Sequence, residues 1–409
     1  MKIAILTGIF PPSISGVGDH TVHLGSELRR QGHEVAIWAG EKNPERGADI
    51  VENKKGVSQI EGLSVFPVSH PWTFKVLRKV SDAIVEWNAD RIIIQYTPQS
   101  VSSNGLGLNL GFSLWVQYLR RKIVKKKGGK KITLFAHELN YPVSFSIRGL
   151  LLGVPHVFQL ALLLRSADQV YCSTDSFQQK LWNEFPWRVW TGLKKKVSWL
   201  PVGSNISTPT EWISEQDKVE FRRRYGVDPS HRILLHFGGL HPTHLYDSIL
   251  HVLKKMEEKW GKNAISLVCV GAGKKEFEES PYFIQSKEIQ SPMHFLGILP
   301  AEEISKWLQT ADLVLAPFMD GISTRRGSAM AAFSHRKAVL TTSGLLSGNA
   351  IAWSEFCILV PVEDQEQYAQ EAIKWISNPQ ELARIGESAA NTYLREFDWP
   401  VWVRRMDLK

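Results

Sequence analysis

Residues 311–344 read ADLVLAPFMDGISTRRGSAMAAFSHRKAVLTTSG. The stretch parses as a short apolar strand (313–316), a polar loop (317–327), a small-residue helix (328–334) and a second strand (338–341). Strand, loop, helix and strand in that order signal a parallel sheet. In such sheets ligands bind beyond the carboxyl ends of the strands, where loops run into helix N-termini. The loop holds one acid (Asp320), two glycines (Gly321, Gly327), two hydroxyls (Ser323, Thr324) and two guanidiniums (Arg325, Arg326). Arginines beside a helix start suit a phosphate, and a carboxylate beside backbone amides suits sugar hydroxyls.

Upstream of this stretch the same alternation recurs. Apolar runs at 232–237 and 265–270 read as strands, with a loop at 238–244, a helix at 245–260, a turn at 271–274 and a short strand at 294–295. The first half of the chain has its own series. A strand at 2–7 leads through a Gly/Pro-rich loop (8–19) into a helix at 20–31 and a strand at 33–39. Further strands are expected at 91–96, 131–136, 169–172 and 197–200. The pattern breaks at PVGSNI (201–206). The expectation is α/β class, with two doubly wound Rossmann-like domains joined near residue 203. The domains are 1–202, 203–379 and a C-terminal helical segment, 380–409. The run Phe397, Trp399 and Trp402 supplies that segment with apolar contacts for a return to the first domain.

Composition narrows the function. With 409 residues, 43% hydrophobic and 22% charged, the chain is globular and too long for one ordinary domain. A net charge of +8 and a pI near 9.2 imply an anionic partner without saying which. Cys172, Cys269 and Cys357 lie far apart and read as reduced core thiols, not as a metal site. The apolar run 150–164, interrupted by Pro155, His156 and Gln159, falls short of the roughly 20 residues of a membrane span. A cytoplasmic protein, peripheral at most on the inner face of a membrane, is expected. Basic clusters at 120–122, 125–127, 130–131 and 194–196 lie near Trp115, Tyr118, Trp182, Phe185, Trp187, Trp190 and Trp199. Cations beside tryptophans suit an anionic membrane surface.

Seven loops then line up in one order: PPSISGVGDHT, FAHELNYP, LPVGSNI, HFGGLHPTH, VGAGK, FLGILPAEE and PFMDGISTRRGS. This series resembles the retaining GT-B glycosyltransferases of the GT4-type (group 1) family over nearly the whole chain. The resemblance implies two Rossmann-like domains facing each other across a cleft, with a nucleotide-sugar donor on the C-terminal domain and an acceptor on the N-terminal one. It implies transfer with retention to a glycan or lipid-linked acceptor in polysaccharide or glycolipid synthesis, with a UDP-sugar ahead of a GDP-sugar. Neither a cofactor nor a metal is implied, and no Asp-x-Asp pair occurs in the chain.

Carried over by residue, Gly16, Val17 and Gly18 are the bare backbone approaching the donor diphosphate and sugar. His137 hydrogen-bonds the donor sugar, and Asp320 holds its hydroxyls, with Gly321, Ile322 and Ser323 offering amides. Gly297, Ile298 and Leu299 read the base. Gly238, Gly239 and His244 form the loop in which the family places an Arg and a Lys on the diphosphate. Here those two positions are Gly239 and His244, and the family's second Glu is replaced by Ser328 or Ala331. Arg325 or Arg326 then supplies the phosphate charge.

Other classes fit less well. A dinucleotide oxidoreductase needs G-x-G-x-x-G, and both candidate turns lack the third glycine. A nucleic-acid binder has only the pI in its favour. The missing Arg, Lys and Glu leave one alternative, a catalytically weak GT-B relative acting as a binding or partner subunit.

Overall fold

The computed structural model describes residues 1–13, 15–40, 58–102, 106–124, 129–139, 146–183, 185 and 192–408. Two units emerge, Met1–Pro201 with Trp399–Lys409, and Val202–Asp398. Of the C-terminal stretch read as one returning segment, the helix Pro379–Thr392 falls in the second unit and the helix Trp399–Arg405 in the first.

In the first unit the strands are β1 (Lys2–Thr7), β2 (Glu34–Gly40), β3 (Ser58–Ile60), β4 (Leu63–Val68), β5 (Arg91–Tyr96), β6 (Lys131–Ala136), β7 (Gln169–Cys172) and β8 (Val197–Trp199). They lie in the order β3-β4-β2-β1-β5-β6-β7-β8, all parallel except the β3–β4 pair. The second unit has β9 (Arg232–Phe237), β10 (Ile265–Val270), β11 (Met293–Phe295), β12 (Leu313–Ala316), β13 (Val339–Ser343) and β14 (Ile358–Pro361). Their order is β11-β10-β9-β12-β13-β14, parallel throughout. Each unit is a doubly wound, Rossmann-like sheet. The β3–β4 hairpin and β14 are additions to the strands expected from sequence.

Both faces of each sheet are buried, which is why the strands read as unbroken apolar runs rather than alternating ones. Along β1, Ala4 and Leu6 enter one core and Ile3 and Ile5 the other. Along β9, Ile233 and Leu235 face one side and Leu234 the opposite.

An Ala-Asp pair enters three strands, and each Asp ties its strand to the neighbour already laid down. Lys2 N donates to Asp90 Oδ2 at 2.7 Å, Ile132 N to Asp168 Oδ2 at 2.8 Å and Ile233 N to Asp312 Oδ2 at 2.6 Å. The amides of Asp90, Asp168 and Asp312 donate back to the carbonyls of the same three partners. Each tie is a closed two-bond ring at the amino end of a strand pair. Two lysines do related work at helix ends. Lys196 Nζ donates to Leu164 O and Ala167 O, and Lys337 Nζ to Gln309 O and Ala311 O. Burial lowers each ammonium to about 8, while the carbonyls at a helix C-terminus favour its charge. Asp312→Ala should cost about 2 kcal/mol by stranding the Ile233 amide. Denaturant unfolding of the variant measures it, and a loss below about 0.5 kcal/mol would show the tie to be idle.

The apolar run at 150–164 is part of a 20-residue helix, Ile147–Ser166, that accommodates Pro155 internally. By length and composition its Gly149–Ser166 stretch is apolar enough to cross a membrane, although 61% of it is buried in the unit. The sequence reading placed this segment below the span length. The helix is longer because Ser146 caps it, accepting from Gly149 N at 3.0 Å.

Candidate functional site

In the second unit the loops at the carboxyl ends of the strands lie against one another. Gly238 N donates to Val270 O at 2.9 Å, Gly271 N to Gly297 O at 2.7 Å and Gly297 N to Ala272 O at 2.9 Å. The approach is close enough to demand glycine. At Gly271 φ is +103°, and a Cβ there would lie 2.8 Å from the Gly238 carbonyl carbon. Ile298 is 64% exposed beside this seam, and Leu299 is half-buried.

The loop after β9 meets the loop after β12. Met319 N donates to Thr243 O at 2.9 Å and Leu245 N to Pro317 O at 3.0 Å. Behind them stands a histidine pair. His236 Nδ1 donates to Leu315 O at 2.9 Å, so its Nε2 is the acceptor for His244 Nδ1–H at 3.2 Å. Burial, with His236 and Arg326 nearby, holds His244 at about 2, and burial holds His236 at about 4. His244 is therefore a neutral, locked ring and brings no charge to a diphosphate.

The cations come from the other loop. Arg326 lies over the Phe318 ring at 4.2 Å, donates from Nη1 to Thr243 Oγ1 at 3.3 Å and donates from Nη2 to Asp320 Oδ1. Arg325 Nη2 donates to Asp320 Oδ2 at 2.8 Å. Asp320 is thus held between both guanidiniums. Each oxygen of the carboxylate takes one of the two arginines. The helix Gly327–Ser334 starts directly after Arg326; Ala329 N and Met330 N donate to Arg326 O, and the amides of Gly327 and Ser328 have no intrahelical acceptors. Ser323 is buried, and its Oγ has no partner among the described residues.

The amides of Gly321 and Ile322 do not serve a ligand in this arrangement. They donate to Phe318 O at 3.0 Å and Thr342 O at 2.7 Å, closing the turn. Gly321, at φ +83°, is pressed against the Gly344 amide, which leaves no room for a Cβ. Its glycine serves the turn rather than an approach to ligand, and Ile322 is fully buried.

In the first unit Gly16, Val17 and Gly18 are not loop but the first turn of the helix Gly16–Arg30, capped by Ser15. The helix starts four residues earlier than the sequence suggested. A Cβ on Gly16 would meet nothing within 4 Å, whereas one on Gly18 would lie 3.3 Å from Phe10 Cα. Gly16 therefore fronts open space and Gly18 is a packing position.

His137, at the carboxyl end of β6, is 9% exposed. Its Nε2 donates to Gln95 Oε1 at 2.7 Å, and Gln95 Nε2 donates to His20 Nδ1 at 3.3 Å. The chain of bonds fixes the tautomers: Nδ1 of His137 is left as an acceptor. Burial holds His137 at about 3 and pushes His20 well below its ordinary value. Phe135, Trp399 and Trp402 surround His20 with ring centroids at 4.8, 5.1 and 5.3 Å. Gln95, His20, Thr243 and Phe318 were not singled out from sequence. One signal was available, the polar Gln95 that breaks the apolar run of the strand RIIIQY just before its end.

Some of the basic and aromatic residues noted from sequence as suited to a membrane surface have partners inside the unit. Trp115 is fully buried and donates to Ser81 Oγ at 2.7 Å, and Phe185 is also buried. Arg120 pairs with Asp168 at 2.8 Å, Lys122 pairs with Asp82, and Lys196 caps a helix. Residues 125–127, Trp187 and Trp190 lie outside the described residues.

Comparison with known proteins decides what this architecture is. Over 99% of this chain and 97% of the other, it superposes on sucrose-phosphate synthase from Thermosynechococcus elongatus with a TM-score of 0.71 at 14% identity. The HepE protein of Anabaena, solved in complex with UDP and glucose, matches with a TM-score of 0.69 at 15% identity, covering 99% of this chain and 98% of that one. The fold is GT-B. Residues 231–378, within the second GT-B unit, match the family described as glycosyl transferases group 1. An uncharacterized glycosyltransferase of Methanocaldococcus jannaschii is 24% identical over 333 residues, 78% of this chain and 74% of that protein. The matched segment spans the loops after β9, β10, β11 and β12, where the arginine–aspartate clamp lies.

Proposed function

We propose that this GT-B protein transfers a sugar from a nucleotide-sugar donor to a glycan or lipid-linked acceptor, with retention. The observation that carries the reading is the clamp itself: two arginines and one aspartate at the start of a helix, on the carboxyl edge of the unit matched by the group 1 transferases. Arg326 and Arg325 supply the positive charge for a diphosphate, with the Gly327–Ser334 N-terminus behind them. Gly239 and His244 leave that duty to them, His244 being neutral. Asp320 accepts from hydroxyls of the donor sugar once a diphosphate shares its arginines. Ser323 adds a buried hydroxyl, and the Gly297–Leu299 turn, with exposed Ile298, faces the base.

His137 contributes an acceptor at Nδ1, suited to a sugar hydroxyl and unsuited to a phosphate oxygen. Gly16 and Val17 contribute first-turn amides. In the transfer the bond from the anomeric carbon to the diphosphate oxygen breaks, and its electrons stay with the leaving phosphate. The acceptor oxygen bonds the same face of that carbon, and its proton passes to the departing phosphate oxygen. No protein nucleophile takes part. A UDP-sugar is favoured as donor because the Anabaena neighbour holds UDP and glucose.

A thermal-shift series with UDP-, GDP- and ADP-glucose tests the reading. A ligand at about 100 times its dissociation constant adds roughly 2.7 kcal/mol, so a true donor raises the melting temperature clearly. UDP-glucose should give the largest rise. No rise with any of the three would remove the donor site.

A further inference from the structure

The loop between β9 and the helix Tyr246–Trp260 carries two histidines, and the fold gives their rings opposite polarity. The sequence His241-Pro242-Thr243-His244 sets this up. Pro242 has no N–H, so the turn has only the amides of Thr243 and His244 to place. His244 N donates to His241 O at 2.9 Å, and Thr243 N turns back to His241 Nδ1 at 3.2 Å. Thr243 Oγ1 lies 2.8 Å from the same ring nitrogen. A nitrogen that accepts from an amide carries no hydrogen, so the Thr243 hydroxyl donates to it as well.

The bond directions then propagate. Thr243 has spent its one hydroxyl hydrogen on the ring, and its oxygen accepts from Arg326 Nη1 at 3.3 Å. Its carbonyl accepts from Met319 N at 2.9 Å. Every polar atom of Thr243 is thereby used, and the residue joins the β9 loop to the clamp. With Nδ1 bare, His241 bears its ring hydrogen on Nε2. That N–H has no partner among the described residues, and His241 is exposed. Arg326 Nε is a second N–H without an acceptor. Two unspent donors thus stand on either side of one threonine in the bond chain.

His244 is the reverse case. It spends its Nδ1–H on His236 Nε2 at 3.2 Å, which leaves its own Nε2 bare. A bare ring nitrogen repels a phosphate oxygen. Residues 238–245 contain no Lys or Arg. At Gly239 a Cβ would meet nothing nearer than Gly271 O at 3.6 Å, so no cation and little bulk stand beside the seam. Within this loop, the side chain able to donate to an anion beside the clamp is His241.

We infer that His241 Nε2–H donates to a phosphate oxygen of the nucleotide-sugar donor, beside Arg326, with Thr243 holding the two side chains at a fixed spacing. The inference rests on the donor reading above and adds to it a contact from the β9 loop. Neither Gly239 nor His244, the two positions expected to meet the diphosphate from this loop, can make that contact.

Calorimetric titration with UDP tests it on the full chain. His241→Asn keeps an acceptor oxygen near the Nδ1 position and loses the outward N–H. It should melt with the wild type, as an exposed substitution does, and bind UDP about tenfold more weakly. His241→Gln returns an amide N–H near the Nε2 position and should recover most of that loss. A second measurement needs no variant: in a nitrogen-correlated NMR spectrum the His241 Nε2 proton should become protected from exchange when UDP is added. Arg326→Ala serves as the reference for the site. If it weakens UDP while His241→Asn binds like the wild type, the inference falls and the donor site stands. If neither substitution changes the affinity, the donor reading falls and takes the inference with it. Equal losses in His241→Asn and His241→Gln, with no protection of the Nε2 proton, also overturn it, because the ring then acts only through Thr243.

Discussion

Acidification from pH 7.5 to about 5.5 is expected to strip about 3 kcal/mol from the first unit and about 4 kcal/mol from the second. The sign follows from buried histidines that stay neutral. His20 and His137 in the first unit, and His236 and His335 in the second, are each no more than 9% exposed, and half-buried His244, held at about 2, joins those of the second unit. Burial holds His137 at about 3 and His236 and His335 at about 4, and it holds His20 well below its ordinary value. Between those values and 6.5 the unfolded chain takes up a proton that the folded chain refuses. Stability is thus fully present above about pH 6.5 and drains away as the pH falls toward 4. One such group loses roughly 1.4 kcal/mol by one unit below its unfolded pKa. Domains hold only about 5–15 kcal/mol in total, so the loss is large. Denaturant titrations at the two pH values measure it. His335→Gln should lower the proton uptake on unfolding of the second unit by about one. A stability that is flat from pH 7.5 to 5.5 would show that these rings protonate in place.

The second large effect lies in the clamp. Asp320→Ala leaves two guanidiniums facing each other, one of them only 11% exposed. The pair is partly open to solvent, so the expected cost is about 2 kcal/mol rather than that of a fully buried ion. A diphosphate ligand brings the missing charge, so UDP should raise the melting temperature of Asp320→Ala more than that of the wild type. The added sugar should then contribute nothing, because the carboxylate that accepts from its hydroxyls has gone. Arg326→Ala should weaken UDP and UDP-sugar alike, roughly ten- to a hundredfold, since the contact belongs to the phosphates. Calorimetric titration of both ligands into both variants separates these roles. Unchanged affinities in Arg326→Ala would take the clamp out of donor binding and leave it a purely structural pair.

The fold was legible because sheets buried on both faces write themselves as short apolar runs, and β1, β5, β6, β7, β9, β10 and β12 fall where those runs stand. The start of the Gly16–Arg30 helix was not, because the glycines that suggest a loop also form an acceptable first turn behind a serine cap. The β3–β4 hairpin escaped because Leu63–Val68 carries Pro67, which reads against a strand. At the site, residue types were informative and pairings were not. Asp320, Arg325 and Arg326 announced charge chemistry, yet nothing in their spacing says that both arginines grip one carboxylate. Glycine misled at Gly321, where freedom from a side chain serves a tight turn against Gly344. Gln95 and His20 were invisible because their meaning lies in what they touch 42 and 75 residues away.

The Ala-Asp ties have a consequence for how such a chain can change. All three close at the amino ends of their strands, whereas the loops of the clamp and the seam lie at the opposite ends. Strand order and register are therefore anchored on one edge while specificity is written on the other. The segments 238–245, 296–299 and 317–326 can be exchanged or lengthened without disturbing an anchor, which makes them the places to graft a different donor preference. The dipeptides at 89–90, 167–168 and 311–312 are the places to leave alone.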